Sequence, residues 1–219
     1  MKKILSIVLM TFALSVYGQE AHIDTLTQFL PEGYVILEKT FGDLNKDGVD
    51  DCVLVIKGTD SNNIIDDENR GKLDRNRRGI IVLINTYEKY ELSVANYACF
   101  SSGQEDGSIY FPPDLSINIK NGNLLVYYGH GRYGFWQYTF RKQNSDFELI
   151  GYDQSSNRGP VTNSVKSINF LTRKKQVKVN TYQNEMEEVF KETWTTIEVK
   201  RLIKLSEIKD FDELDMTVY

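Results

Sequence analysis

Oxygen-bearing side chains fall at Asp43, Asn45, Asp47 and Asp51, with Gly48 between them, in the stretch 41–56 (FGDLNKDGVDDCVLVI). Steps of two, two and four residues suit a small hard cation wrapped by a tight turn. Gly48 supplies the bend, and the Val49 carbonyl is placed to serve as a backbone ligand. The expected ion is Ca²⁺. A site filled by carboxylates and a carbonyl leaves few open positions, so the ion's role is structural rather than that of a Lewis acid. The competing reading is plainer: Asp, Asn and Gly clusters also make ordinary turns.

Other groups that could do chemistry are sparse. The chain has two histidines. His22 lies near the N-terminus. His130 lies in a glycine-rich, aromatic stretch, 127–134 (YYGHGRYG). As a ligand surface, His130 and Arg132 would make polar contacts, and Tyr133, Phe135 and Trp136 would stack. As structure, the glycines permit bends and the aromatics enter a sheet core. The sequence has no Gly-x-Ser-x-Gly elbow and no His-Glu-x-x-His helix. A glycosidase carboxylate pair is assembled from distant positions and leaves no local signature.

The elements that must position these groups follow a leader. Lys2 and Lys3, the apolar run 4–16 and the small residue Gly18 read as a signal peptide over 1–18, cleaved before Gln19. A single domain over 19–219 is expected, periplasmic or secreted. No later stretch reaches the ~18 apolar residues of a spanning helix. Losing Lys2 and Lys3 takes the formal charge from −5 to −7. Such acidity disfavours nucleic acid and anionic membrane surfaces as partners. Cys52 and Cys99 are the only cysteines. A disulfide and two separate thiols both stay open. A simple meander would set the pair at opposite ends, beyond the ~7 Å Cα limit for a bridge.

Alternation dominates the pattern, so the expected fold class is mainly β. Antiparallel hairpins would form a sandwich or curled sheet, with short helices near both ends. Ile23, Leu26, Phe29 and Leu30 suit one face of a short helix that Pro31 ends. Strands are expected at 34–41, 53–56, 79–86 and 90–97, the apolar run 53–56 being buried on both faces. Residues 58–78 read as a long charged loop. Asn121-Gly122 marks a type I′ hairpin between 115–119 and 124–128. A second hairpin turns near Asn144-Ser145, and a third at Arg173-Lys174-Lys175. Strand pattern resumes over 190–205. Ile208, Phe211 and Leu214 suggest a closing helix capped at Ser206.

The segment 43–51 (DLNKDGVDD) resembles the calcium loops of FG-GAP or VCBS-type repeats, and of dockerins. The resemblance implies Asp43, Asn45, Asp47 and Asp51 as side-chain ligands, in a loop turning between two strands. The motif occurs once here. Residues 104–107 (QEDG) are a poor echo without the alternating oxygens, so a propeller with one loop per blade is not expected. Dockerins carry two such loops on helices. Over its length the chain is similar to small exported proteins of Gram-negative bacteria, Bacteroidota in particular, through PEGYVILEKTFGDLNKDG, NRRGIIVL, GRYGFWQYTFR and DFELIGYD. That resemblance implies export and the loop, and no reaction.

Two function classes follow. One is a non-catalytic binding or cell-envelope module, stiffened by Ca²⁺ and recognising a glycan or an envelope protein. The other is a secreted, glycan-directed hydrolase using scattered carboxylates. Trp136, Tyr133 and Tyr128 lining an open groove would favour the first. Two buried, converging carboxylates in a deep cleft would favour the second. The leader carries its own expectation: N-terminal mass spectrometry of envelope or secreted protein should find Gln19 first. An intact Met1 terminus in the cytosol would overturn export.

Overall fold

A computed structural model describes residues 26–87, 89–105, 112–182 and 189–219. The leader, the expected start at Gln19, His22, Ile23, Glu88 and Asp106-Gly107 lie outside the described residues. Antiparallel sheets dominate, in a sandwich-like arrangement without a closed barrel. Among the described residues no helix is long and apolar enough to cross a membrane.

The smaller sheet has four strands in the order β1 (Tyr34–Gly42), β2 (Asp51–Gly58), β5 (Arg78–Asn85) and β6 (Tyr90–Phe100). Its two central strands are apolar at consecutive positions because both faces are covered. Val53, Val55, Ile80 and Val82 point into the main core. Cys52, Leu54, Ile56, Ile81 and Leu83 point the other way. One helical turn lies over that outer face, with Leu26 buried and Phe29 and Leu30 packed beside it.

The larger sheet is a meander in which each strand pairs with its sequence neighbour. Its strands are β7 (Asp114–Lys120), β8 (Asn123–Gly129), β9 (Gly134–Gln143), β10 (Asp146–Arg158), β11 (Val161–Asn169), β12 (Lys174–Asn180) and β13 (Phe190–Thr196). The three expected hairpins are present. Asn121 (φ 55°) and Gly122 (φ 73°) have the positive φ values that a type I′ turn demands. Alternation places Leu124, Val126 and Tyr128 of β8, and Tyr138 and Phe140 of β9, on the inner face.

Two expectations need correction. Residues 58–78 are not an open loop: they hold a 3₁₀ turn (Ser61–Asn63) and a hairpin of β3 (Ile64–Asp67) and β4 (Gly71–Asp74). Polar groups build it. Asn76 is buried and bonds Asp60 and Asp74, Lys57 pairs with Asp74, and Leu73 is its buried apolar anchor. The C-terminal helix is likewise shorter than its spacing suggested, a 3₁₀ turn over Leu205–Glu207. Beyond it the chain continues as bends and a turn against the sheets, because its polar backbone finds partners in β6. The Asn96 side-chain amide donates to the Leu205 and Ile208 carbonyls at 2.9 and 2.7 Å, and the Phe211 amide donates to the Cys99 carbonyl at 2.9 Å.

The cysteines are free thiols. The meander sets them at opposite ends of the smaller sheet and on opposite faces, Cys52 outward and Cys99 toward the main core. Burial pushes both thiols up to about 12. A thiolate-specific reagent at pH 8 should therefore leave both unmodified in the folded protein and modify both in denaturant. Rapid labelling of either in native protein would contradict this packing.

Candidate functional site

Asp51 opens β2 and is fully buried. One carboxylate oxygen accepts the Leu44 amide at 2.8 Å, and the other accepts the Asn85 amide at 2.9 Å. It thereby joins the loop 43–51 to the end of β5. Burial pushes its carboxyl above the ordinary value; the two amide bonds pull it down, and the charges of Asp47 and Asp43 push it up again. Asp43 accepts the amides of Lys46, Asp47 and Gly48. Asn45 accepts the Asp47 amide at 3.1 Å, and Asp47 accepts the Val49 amide at 2.9 Å. Gly48, at φ 88°, makes the bend.

Asp43, Asn45 and Asp47 thus turn into the loop, while Asp51 bridges from the loop to β5. Among the described residues no three His, Cys, Asp or Glu side chains form a metal-binding group. The carboxylates are engaged with amides, and a site here would also need the Asn45 amide oxygen and the Val49 carbonyl. The donor set is made of oxygens alone, which suits a hard cation. The upward push of Asp47 and Asp43 on the Asp51 carboxyl is the kind a cation relieves.

The loop also faces the larger sheet. Thr40 donates to the Ile117 carbonyl at 3.3 Å. Gly42 lies so close to Ile119 that a Cβ would fall 2.8 Å from its side chain. The Lys46 stem lies over Gly122 at the hairpin tip, and the Tyr87 hydroxyl donates to the Asp47 carbonyl at 3.0 Å.

The second candidate surface forms where β8 leaves the sheet. His130 and Tyr133 are 5.0 Å apart between ring centroids, and the Arg132 guanidinium lies 5.1 Å from the Tyr133 ring. His130 also meets Trp136 edge-on at 6.3 Å. Gly134 makes this turn possible. Its φ is 114°, and a Cβ there would fall 2.0 Å from the Ser155 carbonyl oxygen. The group then divides. Tyr133 is half exposed, whereas Trp136 reaches inward and stacks on Tyr128, its partner across the strands, at 5.4 Å.

Trp136 and Tyr128 line a cleft of about 670 Å³ between the larger sheet and the C-terminal segment 211–217. Strand register explains its floor. Tyr128 pairs with Trp136, Trp136 with Gln154, and Gln154 with Lys166. These four side chains form one row across β8, β9, β10 and β11. Tyr138 and Tyr152, also paired across strands, flank the row. The C-terminal segment adds Phe211, Asp212, Glu213 and Asp215. Burial lowers the Lys166 ammonium from its ordinary value, Lys175 adding to the effect and Asp215 opposing it.

Sequence reasoning found Trp136 and missed Gln154, Lys166 and the acids of 212–215. The alternation of β9 to β11 carries part of the signal, but only the register makes those residues one row. The comparisons add no relative: no family model, no curated protein and no solved structure matches this chain.

The Asp51 tie is testable without any ion. Asn has a single acceptor oxygen, so Asp51→Asn leaves one buried amide opposite an NH₂ group. It should lower stability by about 1–3 kcal/mol, read by denaturant melts in chelator. The raised carboxyl binds its proton more tightly in the native state than in the unfolded chain. Its contribution to stability therefore grows as pH falls through the raised value toward the ordinary 3.8. Asp51→Asn should lack that growth. Equal stability of the two proteins would remove the tie.

Proposed function

We propose that this chain is an exported, non-catalytic binding module whose ligand seat is the cleft over Tyr128 and Trp136, and whose loop 43–51 takes a structural Ca²⁺. The observation that carries the reading is the aromatic row itself. The half-buried Trp136, stacked on the buried ring of Tyr128, stands on the floor of an open cleft beside the half-buried polar groups Gln154 and Lys166. A pocket of a few hundred Å³ with apolar walls and a few convergent polar groups is the usual form of a ligand site. The two most buried acids of the described residues, Asp51 and Asp146, lie outside this cleft. Asp51 accepts backbone amides, and Asp146 takes the Phe147 amide and the Ser206 hydroxyl.

Ca²⁺ is the ion that the donor set supports. Asp43, Asn45, Asp47, the Val49 carbonyl and Asp51 would hold it, and its positive charge would offset the charges of Asp47 and Asp43 that bear on Asp51. The loop touches β5, the β5–β6 turn and the β7–β8 tip. An ion there stiffens the junction of the two sheets rather than performing chemistry.

Calorimetric scans with calcium and with chelator test the ion. A Kd of order 10⁻⁵–10⁻⁴ M is expected here, between that of sensor sites and that of the weaker extracellular modules. At ~1 mM free calcium and the tight end of that range, mass action adds about 2.7 kcal/mol. For a domain near two hundred residues this raises Tm by roughly 5–10 °C. Asp47→Ala should remove most of the increment. Asp50→Ala should keep it, because Asp50 takes part in the junction through its backbone carbonyl, which accepts the Asn85 side-chain amide. Identical melting in both conditions, with no heat of binding at millimolar calcium, would leave the loop as a turn only.

A further inference from the structure

The cleft's lining is specific enough to name a ligand class. The register sets Tyr128, Trp136, Gln154 and Lys166 side by side on adjacent strands. Adjacent strands lie about 4.8 Å apart, so the row runs about 14 Å across the sheet. Its character changes along that length from two parallel aromatic rings, 16° apart in plane, to a carboxamide and then an ammonium. A ligand lying along it meets the half-buried Trp136 at one end and hydrogen-bonding groups at the other.

Charge narrows the class. The cleft presents the acids Glu105, Asp212, Glu213 and Asp215 against the cations Arg70 and Lys166. The acids oppose an anionic ligand and outnumber the cations. Lys166 stands on the floor itself, half-buried, and opposes an organic cation drawn by the aromatic rings. Acceptors and donors together suit a neutral molecule carrying many hydroxyls, since each hydroxyl both donates and accepts.

A further observation points to a missing hydroxyl partner. Tyr128 is 1% exposed, and its phenolic oxygen is buried with no hydrogen bond. Such a group is left so at a cost. It belongs to the cleft lining, beneath the segment that carries Asp212. A ligand hydroxyl entering here is the partner it lacks.

We propose that the cleft binds a neutral oligosaccharide, one sugar packing on the half-buried Trp136, which the buried Tyr128 ring supports, and its hydroxyls bonding Gln154, Lys166 and the acids of 212–215. This rests on the cleft being the ligand seat. The test uses the calcium-loaded 19–219 chain and the indole N–H resonances of its two tryptophans. Trp194 is exposed on β13 and serves as the internal control. The probes are neutral di- and trisaccharides (cellobiose, maltotriose, N,N′-diacetylchitobiose), an unsaturated hexuronate disaccharide and spermidine. A neutral sugar should shift the Trp136 resonance saturably and leave Trp194 still. Gln154→Ala and Lys166→Met, checked for unchanged melting, should each weaken that binding about tenfold. A Trp136 shift by the uronate or by spermidine, with the neutral sugars silent, would overturn the neutral ligand class and keep the cleft as ligand seat. Silence of Trp136 toward every probe would overturn both. Unchanged affinity in the two variants would overturn the row as the contact surface.

Discussion

The ring of Phe211 stands where both sheets and the C-terminal segment meet. Its centroid lies 5.0 Å from Phe100 of the smaller sheet, and 5.1 and 6.1 Å from Tyr138 and Phe140 of the larger one. Tyr128 closes the group at 6.4 Å. Removing these rings from water is the dominant favourable contribution, and their edge-to-face and stacked geometries add to it. Because Phe211 is bound on all sides, the residues after it are held along the mouth of the cleft. Asp212, Glu213 and Asp215 therefore face the aromatic row. A segment with little regular structure thus places the acids, and the apolar anchor before them is what makes that placement definite.

A second constraint acts at the far end of the same hairpin. The loop 43–51 packs on the β7–β8 tip through Lys46 and Gly122, while the cleft begins at Tyr128. Six residue steps, from Gly122 to Tyr128, separate them, about 20 Å along a strand. An ion in the loop does not touch a ligand in the cleft. It bears instead on how the two sheets meet, through Asp51, Thr40 and Gly42, and so on how firmly β8 and β9 present their rings.

The charged hairpin β3–β4 shows how polar groups build structure when apolar ones are scarce. Arg70 sits at its tip region, donates to the Glu105 carbonyl at 3.1 Å, and lines the cleft. The Asp74 amide donates to the Gln104 side chain at 2.8 Å. A stretch that looks like a solvated loop in one dimension is thereby a wall beside the site. Its ion pairs are partly exposed and individually weak. The buried Asn76 network and Leu73 supply the definition that the pairs alone do not.

The local signals were legible in the sequence because they depend on residues close together along the chain. Asn121-Gly122 demands a positive-φ turn. The alternation of β7 to β10 separates an inner face from an outer one, and the unbroken apolar run at 53–56 requires cover on both sides. The order Asp43, Asn45, Asp47, Gly48 makes a folded oxygen-rich loop, whether or not an ion fills it. Whether Cys52 and Cys99 pair stayed open in the sequence, and the assembled smaller sheet sets them apart. What the tertiary structure decided depends on register and on long-range partners. The β-rich pattern holds no sign that Gln154 would lie between Trp136 and Lys166, because a shift of register would pair other residues. The amphipathic spacing of Ile208, Phe211 and Leu214 reads as a helix until Asn96 and the Cys99 carbonyl offer its backbone other partners. Local pattern states which face of a segment seeks burial. Only the assembled sheets determine what it is buried against, and hence which side chains share a cleft.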